Sequence, residues 1–196
     1  MKDIRRARPE DRSTIVETLA NAMRVEPIVR WPLAPSAGLD TVRAEFAVLV
    51  DMYAAFDVFW LADEGAGVAA WLEPAEAERF AELERPTRDL IRPLTDDGGV
   101  RYDAFWDWLG SHVPAEPCYF LDMVAVDEAR RRRGIGKALI RHGLTRAAAA
   151  SMPAFLETGN PGNVRLYEHL GFRVVASEVA PGDGPKVWFM QADPVS

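Results

Sequence analysis

The residues with the clearest chemical potential form one run, Arg130–Leu139, in which four arginines precede Gly134 and Gly136. The apolar segment before it, Tyr119–Val126, predicts a buried strand, and the Ala- and Leu-rich segment after it predicts a helix. The start of a helix carries unpaired N–H groups and a partial positive charge, and glycine lets a ligand approach the backbone. Arginine adds forked donors. The run therefore predicts a phosphate-binding site.

Two common phosphate-binding motifs do not fit this run. A P-loop needs glycine where the chain has Arg131, and serine or threonine where it has Ala138. A dinucleotide-binding fingerprint needs a third glycine where the chain has Leu139. A solvated arginine face is the simpler alternative, because charge runs are usually exposed.

The pattern Arg131-x-x-Gly134-x-Gly136, placed directly after a strand, resembles motif A of the GNAT superfamily of N-acetyltransferases. In that family, main-chain amides of this turn hold the pyrophosphate of acetyl-coenzyme A. The resemblance implies cosubstrate contacts from Arg131, Arg132, Arg133, Gly134, Ile135, Gly136 and Lys137. It also implies that the main chain of Val124, Ala125 and Val126 meets the acetyl group and pantetheine. Because the carbonyl oxygen gains negative charge in the tetrahedral intermediate, we expect an amide of this segment to donate to it.

A second segment, Asn160–Phe172, resembles GNAT motif B through its Asn…Leu-Tyr…Leu-Gly-Phe spacing. The resemblance implies that Asn160 contacts coenzyme A and that Tyr167 lies near the thioester sulfur. Tyr167 is then the candidate acid for the thiolate leaving group. The alternatives are a turn residue for Asn160 and a core aromatic for Tyr167.

A narrower resemblance is to the puromycin N-acetyltransferase branch of the superfamily. It is carried by Pro153–Thr158, by the motif from Asn163 to Phe172, and by the late segment Val187–Met190. It implies an antibiotic or related metabolite amine as acceptor.

The reaction also needs a base, because an amine with a pKa near ~10 is mostly protonated at neutral pH. Glu157 lies on the strand predicted beside Val124–Val126, where some relatives carry a catalytic glutamate. Asp122 lies on the same strand as Val124 and Val126, with the side-chain parity of those residues. Either carboxylate can instead bind a cationic substrate or pair with an arginine.

Composition limits the remaining classes of function. A length of 196 residues fits one domain, residues 1–196, and a net charge of −7 argues against general nucleic-acid binding. No apolar run approaches the ~18 residues of a membrane span, and the N-terminal Met1–Arg6 lacks the apolar core of a signal peptide. The three histidines lack metal-ligand spacing. We therefore expect a cytoplasmic enzyme without a metal, as a monomer or homodimer.

Hydrophobic periodicity and the family resemblance together predict a mixed α/β architecture. The resemblance implies the GNAT fold, a central mixed, mostly antiparallel, twisted sheet of about six to seven strands flanked by helices. Strands are predicted at 3–8, 58–62, 68–72, 118–126, 154–158, 172–178 and 187–191. Helices are predicted from Pro9 and at 40–55, 75–83, 87–94, 102–109, 134–150 and 163–170, with 24–38 irregular and Pro86 separating two helices.

These observations predict an enzyme that moves an acetyl group from acetyl-CoA to a primary amine, on a small molecule, by direct attack in a ternary complex. A protein or peptide N-acetyltransferase is the alternative within the same class. A non-catalytic acyl-CoA-binding regulatory domain is the alternative from another class.

Overall fold

The computed structural model describes residues 3–194, and its centre is a seven-stranded sheet. The strands are β1 (Ile4–Arg6), β2 (Phe59–Ala62), β3 (Gly67–Leu72), β4 (Tyr119–Val126), β5 (Ala154–Thr158), β6 (Arg173–Val179) and β7 (Lys186–Ala192). Their order is β1-β2-β3-β4-β5-β7-β6, and β4–β5 is the parallel pair in an otherwise antiparallel ladder. The predicted mixed, mostly antiparallel sheet is confirmed.

Seven helices flank the sheet in the described part of the chain. They are α1 (Arg12–Met23), α2 (Pro27–Leu33), α3 (Leu39–Tyr53), α4 (Ala77–Ile91), α5 (Val100–Gly110), α6 (Ile135–Ala149) and α7 (Pro161–Glu168). Within residues 3–194, every helix is too short or too polar to cross a membrane. Met1 and Lys2, part of the segment considered for a signal peptide, lie outside the described residues.

Strand alternation gives the sheet two buried faces, as expected for a sheet covered on both sides. On one face, α1 and α3 pack on Leu61, Val68 and Ala70. On the other face, α6 and α7 pack on Trp60, Ala69 and further residues of β4 and β5. The inner strands β2 and β3 are buried along their whole length, which explains their continuous apolar sequences.

The two helices predicted on either side of Pro86 form one helix, α4, so the predicted break was wrong. Proline removes one main-chain donor and usually kinks a helix. Here the Thr87 hydroxyl donates to Leu83 O at 2.8 Å, and Arg88 bonds Glu84 across the same turn at 2.8 Å. These contacts, with burial of Ile91, favour continuing the helix through the proline.

The segment 24–38 was predicted to be irregular and instead contains α2. Pro27 lies in its first turn, where a missing N–H costs nothing, although Pro32 lies inside it. Arg101 of α5 donates to Trp31 O at 2.6 Å and to Leu33 O at 3.3 Å, so it partners carbonyl groups at the end of α2. A residue seventy positions away in sequence thus completes this helix.

Candidate active site

The parallel pair β4–β5 separates after two positions. Tyr119 pairs with Ala154 and Phe120 with Phe155, and the pairing ends there. Beyond Phe120, β4 continues to Val126 and remains paired with β3 on its other edge. The main chain of 121–126 on the edge facing β5 therefore has no strand partner among the described residues. This opening in the sheet contains the predicted segment Val124–Val126.

The turn after β4 has the geometry of an anion site. Arg132 and Gly134 both adopt left-handed φ angles, 62° and 78°, and Gly134 caps the start of α6. Within residues 3–194, the main-chain amides of 132–137 donate no hydrogen bond. The Arg131 side chain has a structural contact of its own. Its Nε donates to Val126 O at 3.3 Å and thereby ties the turn to β4.

The side chains around this turn are exposed and positively charged. Arg130, Arg131, Arg132, Arg133 and Lys137 all face solvent, and in the described part of the chain none of them forms an ion pair. Ile135 differs because its side chain is buried against the sheet, so its amide alone can meet a ligand. Gly136 lies against the strand, where an added Cβ would come within 3.4 Å of Val126. The turn thus brings together the predicted motif A residues.

Asn160 precedes α7 and Tyr167 lies on it, with Tyr167 packed on the face of the sheet that α6 covers. Asn160 caps the helix, accepting from Gly162 N at 2.9 Å, and its Nδ2 donates to Glu26 Oε1 at 3.3 Å. Tyr167 is 5% exposed and packs edge-on against Phe172. Burial and the charges of Glu26 and Glu157 raise the pKa of Tyr167. The Tyr167 hydroxyl therefore stays protonated at neutral pH. It lies close enough to Glu157 for the charge of that residue to affect its pKa.

A cavity of about 260 Å³ opens on the opposite face of the sheet, between α3, α4, α5 and the split strands. Its walls are mostly apolar and include Phe80, Trp106 and Phe120. Asp122 and Glu157 both line it, so the structure brings the two predicted bases into one chamber. A mostly apolar cavity with a few convergent polar groups is typical of a small-molecule site.

Burial and neighbouring charges perturb both carboxyl groups inside this cavity. Burial raises the pKa of Asp122 to about 6, against the hydrogen bond that Tyr53 Oη donates to Asp122 Oδ2 at 2.6 Å. Burial and the nearby Asp122 charge raise the pKa of Glu157 well above its ordinary value. Two close, desolvated carboxylates resist simultaneous ionisation and tend to share one proton.

The predicted side-chain parity of Asp122 was wrong. The β3–β4 register shifts so that Ala70 opposes Met123 while Trp71 opposes Leu121, which leaves Asp122 in a β-bulge. Val124 and Val126 face α6, whereas Asp122 faces the cavity together with Met123. A regular strand would have placed Asp122 on the α6 face, so the bulge is what delivers its carboxyl to the cavity.

Sequence reasoning missed three polar residues of the site: Tyr53, Glu84 and Glu26. Tyr53 lies at the end of α3, and its hydroxyl donates to Asp122 across sixty-nine positions of sequence. Glu84 lines the cavity from α4, and Glu26 contacts Asn160 from the start of α2. A tyrosine at the end of an apolar helical stripe was the one available signal, because its hydroxyl needs a partner when buried.

In the described residues 3–194 there is no group of three or more His, Cys, Asp or Glu that could hold a metal ion. The groups that converge here are instead an amide cradle, an open strand edge and two carboxyls in an apolar cavity. These are the parts of an acyl-transfer site: donors for a phosphate-bearing cosubstrate and a base for an acceptor.

Comparison with known proteins defines the family. Residues 51–172 match the model of the acetyltransferase (GNAT) family, and the chain belongs to that family. The GNAT family consists of acetyltransferases and uses acetyl-CoA as cosubstrate. The matched range spans both predicted motifs.

Two curated relatives are mycothiol acetyltransferases, from Mycobacteroides abscessus and Nocardiopsis dassonvillei. The first is 29% identical over 157 residues, covering 79% of this chain and 48% of the relative. The second is 29% identical over 135 residues, covering 61% of this chain and 40% of the relative. The chain thus spans less than half the length of these relatives.

A crystal structure described as "histone acetyltransferase HPA2 and related acetyltransferase", from Corynebacterium glutamicum, has a similar fold. It superposes with a TM-score of 0.71 at 25% sequence identity, covering 100% of this chain and 97% of that one. The similarity confirms the predicted GNAT fold. The resemblance to the puromycin N-acetyltransferase branch has no support among these relatives.

Proposed function

We propose that this chain, as one domain over residues 1–196, transfers the acetyl group of acetyl-CoA to a primary amine of a small molecule in the cytoplasm. The observation that carries the proposal is the cavity in which Asp122 and Glu157 meet at the opening between β4 and β5. The acceptor enters from this face, and the cosubstrate lies along the other. The opening lets the two reactants meet in one ternary complex.

The cradle at the start of α6 fits the pyrophosphate of the cosubstrate. Among residues 3–194, the six consecutive amides of 132–137 have no acceptor and the five basic side chains around them form no ion pair, which suits a multiply charged anion. The left-handed φ angles of Arg132 and Gly134 are typical of turns whose successive amides bind an anion. When bound, acetyl-CoA supplies the activated acetyl group, and the Val124–Val126 edge orients it.

The carboxyl pair accepts the proton of the incoming ammonium, since either Asp122 or Glu157 is ionised while the other holds a proton. A free amide on the β4 edge donates to the carbonyl oxygen as it gains negative charge. Tyr167, which its raised pKa keeps protonated at neutral pH, gives a proton to the departing thiolate and takes in return the second proton that the amine nitrogen loses as the amide forms. Asn160 positions the start of α7 and thereby Tyr167.

Two measurements test the proposal. Titration calorimetry should show that acetyl-CoA binds, with loss of affinity when Arg132 and Arg133 are both replaced by alanine. Free-thiol release across a panel of primary amines, with puromycin included, should reveal turnover that depends on Glu157. Absence of acetyl-CoA binding would contradict the proposal, because every later step requires this cosubstrate.

The other outcomes separate the alternatives. Binding with no turnover on any amine favours a regulatory acyl-CoA-binding domain. Turnover confined to peptides with a free N-terminus favours a peptide N-acetyltransferase. Sedimentation of the purified chain distinguishes a monomer from a homodimer.

A further inference from the structure

The cavity has more charged groups than the transfer chemistry needs. Asp122 and Glu157 lie at the sheet, and a third carboxylate, Glu84, faces the same cavity from α4. The charge of Glu84 reaches Asp122 and Tyr53, since it raises the pKa of both groups. A cavity with three free carboxylates would attract a polyvalent cation.

Arg88 changes this balance. Its Nη2 donates to Glu84 Oε1 at 2.8 Å and its Nη1 to Asp107 Oδ1 at 2.5 Å. The Arg88 side chain is only 12% exposed, so solvent screens the Arg88–Glu84 pair weakly. Both Arg88 and Glu84 line the cavity, where the Arg88 cation offsets part of the Glu84 charge.

The remaining charge belongs to the carboxyl pair at the sheet. Because Asp122 and Glu157 line the same cavity and both are desolvated, ionisation of one opposes ionisation of the other, and the pair favours a single negative charge. One ammonium group satisfies that charge. A second cation on the acceptor would lie against apolar walls or against Arg88, and both placements are unfavourable.

The rest of the cavity suits an apolar body. Phe80, Tyr102, Trp106 and Phe120 supply aromatic walls. The volume of about 260 Å³ exceeds the ~150 Å³ of a cavity that accepts benzene, so one ring with a short alkyl chain fits.

We propose that the acceptor is a primary amine with a single positive charge on an apolar, aromatic-sized body, and that Arg88 sets this selectivity by neutralising Glu84. The inference rests on the proposed acetyl transfer and names the substrate class of the same site. Arg88 acts as a specificity-determining residue through Glu84, without contacting the acetyl group.

Matched pairs of amines test the inference directly. Hexylamine and 1,6-diaminohexane differ by one ammonium, and phenethylamine and phenylalanine differ by one carboxylate. We expect kcat/KM to favour the monocation of each pair by about tenfold or more. A wild-type preference for the diamine, or for phenylalanine through its carboxylate at Arg88, would overturn the inference.

Substitution of Arg88 tests the cause. Arg88→Leu frees Glu84, so the ratio of kcat/KM for 1,6-diaminohexane to that for hexylamine should rise by about tenfold. Arg88→Lys should keep the wild-type ratio, and the double variant Arg88→Leu/Glu84→Gln should restore it. A purely structural role for Arg88 predicts no such restoration, so an unrestored ratio overturns the assignment.

The same assay distinguishes this inference from the function on which it rests. If acetyl-CoA binds and no amine is acetylated, both fall. If amines are acetylated but the ratio of kcat/KM values depends neither on the second charge nor on Arg88, only the selectivity inference is contradicted. The wild-type ratio gives this answer even where a variant does not fold.

Discussion

Asp122 and Glu157 illustrate how one cavity can set the proton chemistry of two residues. Each carboxyl loses solvation, and the charge of Asp122 opposes ionisation of Glu157. Tyr53 acts in the opposite direction, because its hydrogen bond stabilises the ionised form of Asp122. The balance places the pKa of Asp122 at about 6, close to the range in which a base works best at neutral pH.

The first prediction concerns Tyr53→Phe. Loss of the Tyr53 hydroxyl raises the pKa of Asp122 further, because burial and the charge of Glu84 then act without opposition. A base must be ionised to accept a proton, so the acid limb of kcat/KM against pH should move to higher pH by about one unit. Tyr102→Phe is the matched control and should leave this limb in place. An unmoved limb in Tyr53→Phe would leave Glu157 as the sole base.

The second prediction concerns Tyr167→Phe. The substitution removes the proposed proton donor and keeps the ring that packs on Phe172. We expect kcat to fall by about 100-fold, with the Kd of acetyl-CoA changed less than about twofold. Stopped-time thiol release and calorimetry measure the two quantities.

Tyr119→Phe is the control for Tyr167→Phe. Tyr119 is also buried on the α6 face, 8% exposed, and it lies outside the cavity lining. Its variant should retain kcat. Full activity in Tyr167→Phe would remove Tyr167 from the acid role.

At the scale of elements, the turn between β4 and α6 depends on a glycine with a left-handed φ. Gly134 has a φ of 78°, and an added Cβ would meet no atom within 4 Å. Alanine there introduces backbone strain of about 1–2 kcal/mol without a steric clash. The strain acts where the amides of 132–137 must point at the ligand.

The third prediction compares Gly134→Ala with Gly98→Ala. Gly98 has a φ of 70° and equally open surroundings in the turn before α5, so both variants should lose about 1 kcal/mol of unfolding free energy. Gly134→Ala alone should raise the Kd of acetyl-CoA, by about tenfold. Chemical denaturation and calorimetry give the two numbers. Equal loss of affinity in both variants would argue against the cradle.

Elements that depend on local sequence signals were predicted accurately, whereas features that depend on distant contacts were not. Strands such as β3 and β5 and the helix α6 were predicted within one residue, because alternation and glycine signals are local. The proline signals at Pro32 and Pro86 were misleading, since contacts from Arg101 and Thr87 offset them. The bulge at Asp122 depends on register with β3, which the sequence of one strand does not encode.

The residues of the candidate site divide in the same way, into those in local motifs and those brought in by tertiary packing. Motif A and motif B are contiguous in sequence, so their residues were found there, and their roles stay predictions. Tyr53 and Glu84 reach the cavity through tertiary packing of α3 and α4 on the sheet. No local pattern identifies such residues. The periodicity of a helical sequence predicts which face is buried, but it does not predict which polar side chain reaches a cavity.

At the scale of the whole molecule, the protein buries a carboxyl that the reaction does not use. Glu45 of α3 is 2% exposed and leaves Oε2 without a partner among the described residues. Burial raises the pKa of Glu45 from 4.5 to about 8. Glu45 is therefore protonated in the folded protein at neutral pH.

The fourth prediction is that stability falls as pH rises from about 4.5 to about 8. In this window the unfolded chain ionises Glu45 while the folded protein keeps its proton, so the folded state binds more protons. The loss is on the order of a few kcal/mol at the upper end, and Asp122 and Glu157 add to it with the same sign.

Glu45→Gln should remove the largest part of this dependence and stabilise the protein at pH 8. The exposed Glu82→Gln is the matched control and should preserve the slope. Urea denaturation at a series of pH values measures both. A variant slope equal to that of the wild type would mean that Glu45 ionises in the folded state.

The separation of β4 from β5 also has a mechanical consequence. Main-chain hydrogen bonding divides the sheet into two antiparallel leaves, β1–β4 and β5–β7, joined by the two residue pairs at Tyr119 and Phe120. A cosubstrate that binds between the free edges of β4 and β5 bridges the two leaves and links their motions. Hydrogen exchange should then slow at 121–126 when acetyl-CoA is added, and the two leaves, which have separate ladders in the free protein, should open as one.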